Sequence, residues 1–472
     1  MTSRTPKSVS LEREVKLRAD LNFVLPDLRT VVGWSADQRE QHFRTAYFDT
    51  AEFRLWQRRI TLRHRAGDEA GDGTWTLKLP AHGEGPTLDR IESSWGGHRQ
   101  LLPAEATRLL QGIARRSSFH QIVELDATRR RSILRDPGGV VCGELDDDIV
   151  TVLGGSRDGV RFRQIELELG PGGEAFVGPL LKELTRAGAR LGGEQKLAEA
   201  LDLPGRLAER PEFQVHKTSS MGDLVVTSIL AALDRLLDND WRMRVDPSDP
   251  SVEGVHQARV ATRRLRSHLK LFQLVLDPAW VAFVRADLRW LGEVLGRVRD
   301  ADVLAVLFDG GGDGSAFDAE GRDGLRSDLD GQRRTHCREL AGALADRRYL
   351  NLLDLLEAAA DRAPFNESGT ANGLSERFLH FDRPARKVLP RLVGQRWRAL
   401  RREVRRAGPD PSDRALHRIR IRAKELRYAA ESATPVIGEP ARRTAMAAEN
   451  VQNVLVLLGA QVSGFCDKFQ AA

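Results

Sequence analysis

The stretch Leu11-Glu-Arg-Glu-Val-Lys-Leu-Arg18 alternates charged and apolar side chains. Residues two apart on a strand share a face, so Glu12, Glu14, Lys16 and Arg18 fall on one side, with Leu11, Val15 and Leu17 opposite. The same alternation recurs along the first 200 residues. Arg63 and Arg65 alternate with Leu62, and Thr74, Thr76 and Lys78 alternate with Trp75, Leu77 and Leu79. Arg90 and Glu92 flank Ile91, Glu144 and Asp146 flank Leu145, and Glu166 and Glu168 alternate with Ile165, Leu167 and Leu169. A single strand of this kind turns its charges to water. Many of them, carrying both signs at the same period, predict a closed barrel with a charged interior. Lysines, arginines and a few carboxylates in one lumen suit a polyanion escorted by divalent cations.

Outward from this stretch, short alternating segments broken by Gly, Asp and Pro predict strands at 11–18, 58–65, 74–79, 122–133, 140–147 and 160–169. One helix is expected near 174–190. After Pro204 the texture changes to long Leu/Ala/Arg-rich segments of helical period, broken at 246–250, 309–323, 363–374 and 407–412. The expected organisation is an α+β unit over 1–204, a polar linker over 205–218 and an all-α unit over 219–472.

A chain of 472 residues exceeds one ordinary core, and 41% hydrophobic with 30% charged residues gives a globular class with a wet surface. The net charge is only +6, so the distribution of 73 basic and 67 acidic residues matters more than their difference. Cys142, Cys337 and Cys466 stand far apart, without the spacing of a zinc site or a disulfide framework. The opening MTSRTPKSVSLEREV has no apolar core, and no run approaches the ~18 apolar residues of a membrane span. The expectation is a cytoplasmic protein.

Glu12-Arg-Glu-Val-Lys16 resembles the ExExK signature that opens the CYTH, or triphosphate tunnel metalloenzyme, family. Similar in order are Tyr47-Phe-Asp-Thr50, Thr61-Leu-Arg-His-Arg65, Trp75-Thr-Leu-Lys78, Arg90-x-Glu92, Glu144-x-Asp146 and Gln164-Ile-Glu-Leu-Glu168. The resemblance covers about 8–203. It implies an eight-stranded antiparallel tunnel that binds a triphosphate end to end. By that likeness Lys16, Arg63, Arg65, Lys78, Arg90 and Lys196 hold phosphate oxygens. One of Arg129, Arg130 and Arg131 joins them, and the parity of the polar face favours Arg130. Glu12, Glu14 and Glu168 become the expected Mg2+ or Mn2+ ligands, with Glu92, Glu144, Asp146 and Glu166 nearby. Lys16, Glu12 and Glu14 are the expected catalytic set. Gln164 and Gln195-Lys196 depart from the family pattern, where a Glu and a Ser-Lys are usual.

The helical half repeats itself. Val255-His-Gln-Ala-Arg-Val-Ala-Thr-Arg-Arg-Leu-Arg266 echoes Leu416-His-Arg-Ile-Arg-Ile-Arg-Ala-Lys-Glu-Leu-Arg427. With His256 at zero on a helical wheel, Arg259, Arg263 and Arg266 fall at about −60°, −20° and −80°. The second copy places His417, Arg420, Lys424 and Arg427 in the same arc. Ala258, Leu265, Leu269 and Phe272 gather elsewhere as a core stripe. Like charges three and four apart repel, so each stripe is a stability cost without an anion. Aromatics are sparse there, which disfavours single-stranded nucleic acid. This half resembles the CHAD family over about 219–472, with Leu291-Gly, Arg299-Asp-Ala-Asp-Val303 and Lys424-Glu-Leu-Arg-Tyr428 as further marks. The resemblance implies paired helical bundles whose His/Arg/Lys helices bind inorganic polyphosphate.

The combined expectation is metal-dependent hydrolysis of inorganic triphosphate or short-chain polyphosphate in the tunnel, with polyphosphate held by the helices, and an association with polyphosphate granules. No membrane and no sequence-specific nucleic acid is expected as a partner. The competing classes are a non-catalytic polyphosphate binder and an adenylate cyclase.

Overall fold

The computed structural model describes residues 8–28, 36–67, 72–80, 88–136, 138–170, 172–192, 196–202, 215–273, 275–310, 319–361 and 382–469. The chain divides into two compact units, Met1–Glu212 and Phe213–Ala472. The linker expected at 205–218 lies outside the described residues as far as residue 214.

The first unit is one antiparallel sheet. Its strands are β1 (Ser8–Ala19), β2 (Ala36–Asp49), β3 (Thr61–Gly67), β4 (Thr74–Pro80), β5 (Leu88–Gly96), β6 (His120–Arg135), β7 (Val141–Leu153), β8 (Arg161–Leu169) and the two-residue β9 (Arg190–Leu191). The order is β5-β4-β3-β2-β6-β7-β8-β1-β9, with a further pairing between β5 and β1. That pairing turns the ladder into a circuit with a staggered seam at β1. Residues 8–14 of β1 pair with β5, whereas 14–19 pair with β8. The circuit has the expected eight strands, and β9 adds a ninth beside the second half of β1.

Register fixes which side chains share the interior. Lys16 lies opposite Glu166, and Asp146 opposite both Glu166 and Arg131. Arg63 lies opposite Tyr47 and Thr76, and Lys78 opposite Glu92. On the outer face Leu17, Leu145, Ile165 and Leu167 are fully buried under helix α2 (Glu174–Arg186), which contributes Leu180 and Leu184. Burying such side chains stabilises the wall by about 1.5–3 kcal/mol each.

β2, β9, helix α1 (Ala104–Ala114) and the short helix Lys196–Leu201 went unpredicted. β2 begins Ala36-Asp-Gln-Arg-Glu-Gln-His, where no apolar alternation marks a strand. Helix α1 buries Leu109, Leu110 and Ile113. After β2, the buried Asp49 carboxylate accepts hydrogen bonds from the Leu55 and Trp56 amides, each 2.9 Å, and so shapes the turn into β3. Asp49 is structural.

The second unit is all helix: α4 (Met221–Arg244), α5 (Val252–Leu271), α6 (Pro278–Gly310), α7 (Ala319–Ala345), α8 (Arg347–Asp361), α9 (Ala385–Ala407), α10 (Asp413–Ile437) and α11 (Glu439–Phe469). Ser220 caps α4 by accepting from the Asp223 amide, while the Asp223 carboxylate accepts from the Ser220 amide. The core stripe of α5 behaves as its periodicity predicts, with Ala258, Leu265, Leu269 and Phe272 all buried. α10 packs beside α5, and Ala429, Ala433 and Val436 join the same core. No described helix is long and apolar enough to cross a membrane.

Candidate functional site

The tunnel interior has two walls of unlike charge. Strands β3, β4 and β5 contribute Arg63, Arg65, Lys78 and Arg90, and β7 and β8 contribute Asp146, Asp148 and Glu166. Lys16 Nζ bridges Glu14 and Glu166 at 3.1 and 3.2 Å. Lys196 Nζ lies 2.6 Å from Asp148 and 2.7 Å from Glu166. Arg129 makes a two-pronged bond to Asp148, 2.7 Å on each side, and also pairs with Asp146. Arg131 holds Asp146 and Glu144, each at 2.8 Å.

These contacts set the protonation of the acidic wall. Burial alone would raise Glu166, but Lys196, Lys16 and Arg129 hold it well below the usual carboxylate range. Burial opposes the charge on Glu14 as well, and Lys16 outweighs it, with help from Lys78 and Arg90. Lys16 is in turn raised, because Glu166 and Glu14 outweigh its own burial.

The basic wall is different. Lys78 Nζ pairs with Glu92 at 3.1 Å. Arg65 stacks over Phe43 at 4.0 Å, and its buried Nε has no hydrogen-bond partner among the described residues. Burial, with Arg63 and Arg129 close by, pushes the Arg65 guanidinium down to about 9. Burial raises the Tyr47 phenol, yet Arg63, Lys196 and Arg65 outweigh it and pull it below its ordinary value.

Past this charged section the interior turns apolar. Val123, Leu125, Ala127, Val150 and Val152 meet Leu197, Ala198 and Ala200 of the short helix α3 (Lys196–Leu201). The helix that carries Lys196 therefore plugs the lumen.

In the helical unit a cavity of about 350 Å3 opens between α5, α6, α9 and α10. Arg263, Arg266, Lys270, Arg285, Arg396 and Lys424 line it against one carboxylate, Glu425. Burial pushes Lys424 down to about 8, and Arg263, Arg420, Arg427 and Arg259 add to the effect. Both basic helices thus converge on one lysine.

A family model described as the CYTH domain matches residues 10–198, and one described as the CHAD domain matches 227–459. The "Uncharacterized protein Rv2226" of Mycobacterium tuberculosis is 31% identical over 420 residues, which cover 83% of this chain and 75% of that protein. The chain belongs to the CYTH–CHAD family. Among solved structures, the CHAD domain from the plant Ricinus communis is 24% identical, with a TM-score of 0.39, covering 54% of this chain and 81% of its own. A Hippeastrum protein, titled a putative adenylyl cyclase with a dominant triphosphatase activity, is 19% identical with a TM-score of 0.26, covering 40% and 95%. Membership places the first unit in the tunnel-enzyme class, whose members typically use divalent metals.

Several expected site residues of the CYTH unit change place. Arg130 points outward, 63% exposed, toward Glu40, while Arg129 takes the interior position at 4% exposure. The parity was misread because β6 carries apolar residues on its inner face, Val123, Leu125 and Ala127, in line with Arg129. Glu168 keeps the inner parity, opposite Glu14 and Glu144, but is exposed. The Glu12 side chain lies outside the described residues, and its backbone pairs with Arg90. Asp148 was missed, although it continues the inner parity of Glu144 and Asp146.

In the CHAD unit only Arg263, Arg266 and Lys424 of the two predicted stripes line the cavity. Arg259 lies 3.4 Å from Asp300, and Arg427 is held by Glu431 and Glu449. His417 and Arg420 are exposed, and His256 is half-buried. Lys270, Arg285 and Arg396 were not foreseen. Only packing brings α6 and α9 to the stripe.

Among the described residues no three His, Cys, Asp or Glu side chains converge to hold a metal ion. The donor chemistry of the tunnel nevertheless fits a hard divalent cation, being all carboxylate. Glu14 Oε1 is buried and has the Lys16 ammonium 3.1 Å away, so the carboxylate that would turn to a cation is held by a lysine.

Proposed function

We propose that the CYTH unit hydrolyses inorganic triphosphate, or a short-chain polyphosphate, in a cation-dependent reaction, and that the CHAD unit binds inorganic polyphosphate. The observation that carries the first half is Arg65, a half-buried side chain whose buried Nε finds no hydrogen-bond partner among the described residues and which has two arginines for neighbours. Such a group is costly unless an anion fills the space before it. The plug at α3 favours a short linear anion entering end-on over a long chain threading through.

Arg63, Arg65, Lys78 and Arg90 would take the phosphate oxygens along one wall. Lys16 and Lys196 would exchange carboxylate partners for phosphate oxygens, freeing Glu14 and Glu166. A divalent cation held by Glu12, Glu14 and Glu168, with Glu166 beside them, would supply charge neutralisation on the phosphoryl oxygens. Asp148 stays ionised against Arg129, so the inner wall keeps its shape while the lysines move. Water attacks the terminal phosphorus, the bridging P–O bond breaks, and phosphate and pyrophosphate leave.

The deciding assay is phosphate release from triphosphate, ATP and long-chain polyphosphate, with Mg2+, with Mn2+ and with chelator. Triphosphate should be cleaved only with a cation, and Glu14→Gln protein that still folds should be inactive. Cyclic AMP from ATP, or full activity in chelator, would overturn the tunnel reading. The CHAD half rests on six cations facing one carboxylate, and loss of polyphosphate binding in Arg263→Gln or Lys424→Gln protein tests it.

A further inference from the structure

The internal repeat extends beyond the basic stripes. At the spacing that carries His256 onto His417, the first residue of α5 falls on the first of α10, and that of α6 on the first of α11. α4 corresponds to α9. These two are tied at their starts by reciprocal backbone bonds, Met221 N to Arg383 O and Ala385 N to Ser219 O, each 2.9 Å.

Such a repeat offers two equivalent places for a cavity. The mate of the basic cavity exists: about 310 Å3, between α4, α5 and α10, on the other side of the α5–α10 pair. Tyr428 lines both. The repeat spacing carries Lys270 onto Glu431, Glu425 onto Arg264, and Arg396 onto Arg235, and all six line the corresponding cavities. The ion pair that crosses between the helices is kept with its sign reversed. Lys270 of α5 meets Glu425 of α10 in one cavity, and Arg264 of α5 meets Glu431 of α10 at 3.7 Å in the other.

The surroundings of these pairs have diverged. Arg285 has Met446 as its counterpart, which is exposed and lines neither cavity. The cations of the mate are Arg235 and Arg264, set against Glu431 and among Leu224, Ala231, Ala232 and Pro435. His268 there donates to or accepts from Ser432 Oγ at 3.2 Å, stacks on Phe272, and is held neutral at pH 7 by burial, which takes it down to about 4.

We infer that the two pseudo-equivalent cavities are functionally unlike: the helical unit holds a phosphate polymer on the Lys270–Arg285–Arg396 side alone. Two features set this selectivity. The Arg285-to-Met446 exchange removes a guanidinium, and Arg263, Arg266 and Lys424 line the basic cavity alone, whereas the exchanged Lys270–Glu425 and Arg264–Glu431 pairs carry the same net charge. The electrostatic difference is large: six cations against one carboxylate attract a polyanion by releasing its counterions far more strongly than two cations against one carboxylate. The inference rests on the polyphosphate reading of the CHAD unit proposed above.

Mutation of matched pairs tests it in the full-length chain. Binding of inorganic polyphosphate is measured by calorimetry in chelator for Arg396→Gln and its counterpart Arg235→Gln. A second pair, Lys270→Gln and Arg264→Gln, guards against misfolding of either member of the first, and circular dichroism verifies every variant. Arg396→Gln and Lys270→Gln should each weaken binding by roughly tenfold or more, the scale of one charge-assisted contact. Arg235→Gln and Arg264→Gln should leave it unchanged. Equal losses within a pair, while Arg263→Gln still weakens binding, would overturn the one-sided assignment alone. No binding by the wild-type chain, or binding indifferent to Arg263 and Lys424, would overturn the underlying reading instead.

Discussion

Lys196 Nζ lies 2.6 Å from the fully buried Asp148 carboxylate, so the helix that plugs the tunnel is anchored to its inner wall by charge. Removing the lysine, as in Lys196→Met, leaves Asp148 and Glu166 to Arg129 and Lys16. The variant should lose about 1–3 kcal/mol, less than a fully orphaned buried charge because Arg129 remains. Asp148 and Glu166 have folded-state pKa values below their ordinary ones. Their contribution is therefore present above the unfolded carboxylate range and is lost as pH falls through the folded values. Without Lys196 those values rise, so acid unfolding should begin at higher pH. Denaturant melts from pH 7 down to 3 check this, and an unchanged acid limb would contradict it.

Arg65 should behave in the opposite way. Its pKa near 9 lies below that of a free guanidinium, so the empty fold resists its charge at neutral pH. Arg65→Met should keep or raise the melting temperature of the ligand-free protein at pH 7. It should also weaken triphosphate handling by about 1.5–3 kcal/mol. A fall in stability comparable to the loss of activity would make Arg65 structural.

The neighbouring arginines of β6 offer a contrast. Arg129→Ala removes a cation bound to Asp146 and Asp148, and should damage both stability and activity. Arg130→Ala touches only an exposed pair with Glu40 and should shift stability by less than about 1 kcal/mol, with activity intact. Melting curves and phosphate-release rates on both proteins decide whether the interior parity is as described.

Lys424, at about 8, sets a pH window for the helical cavity. Its charged form attracts the polymer, and the free protein loses that charge as pH rises through 8. Polyphosphate affinity should therefore fall between pH 7 and 9, and Lys424→Arg should flatten the profile, since a guanidinium stays charged there. A wild-type profile that is flat over this range would remove Lys424 from the site.

Much of the tunnel was legible because a strand's period is an integer. Once Glu14 and Lys16 share a face, the face of every other residue in that strand is fixed, and Arg63, Arg65, Lys78, Arg90, Asp146 and Glu166 follow strand by strand. The rule assumes that apolar residues face outward. It failed at β6, where the plug helix α3 makes part of the interior apolar. The basic helices were half legible. Helical spacing revealed the stripes of α5 and α10, but Arg285 and Arg396 enter the cavity through tertiary packing, which no local period encodes. Lys270, two turns beyond Arg263 on the same arc, could have been found by extending the wheel.

The seam at β1 bears on how this chain acquires its shape. β1 is made before the other seven strands of the circuit, yet none of its partners directly follows it: β5 arrives after three more strands, and β8 last of the eight. Until β8 is made, β1 and β7 each keep an unpaired backbone edge, the kind that templates wrong pairings between chains. Closure by such distant partners is slow by nature. A nascent chain halted within residues 141–160 would carry the basic wall complete and the edges bare, which makes β8 the strand whose arrival decides between a tunnel and an aggregate.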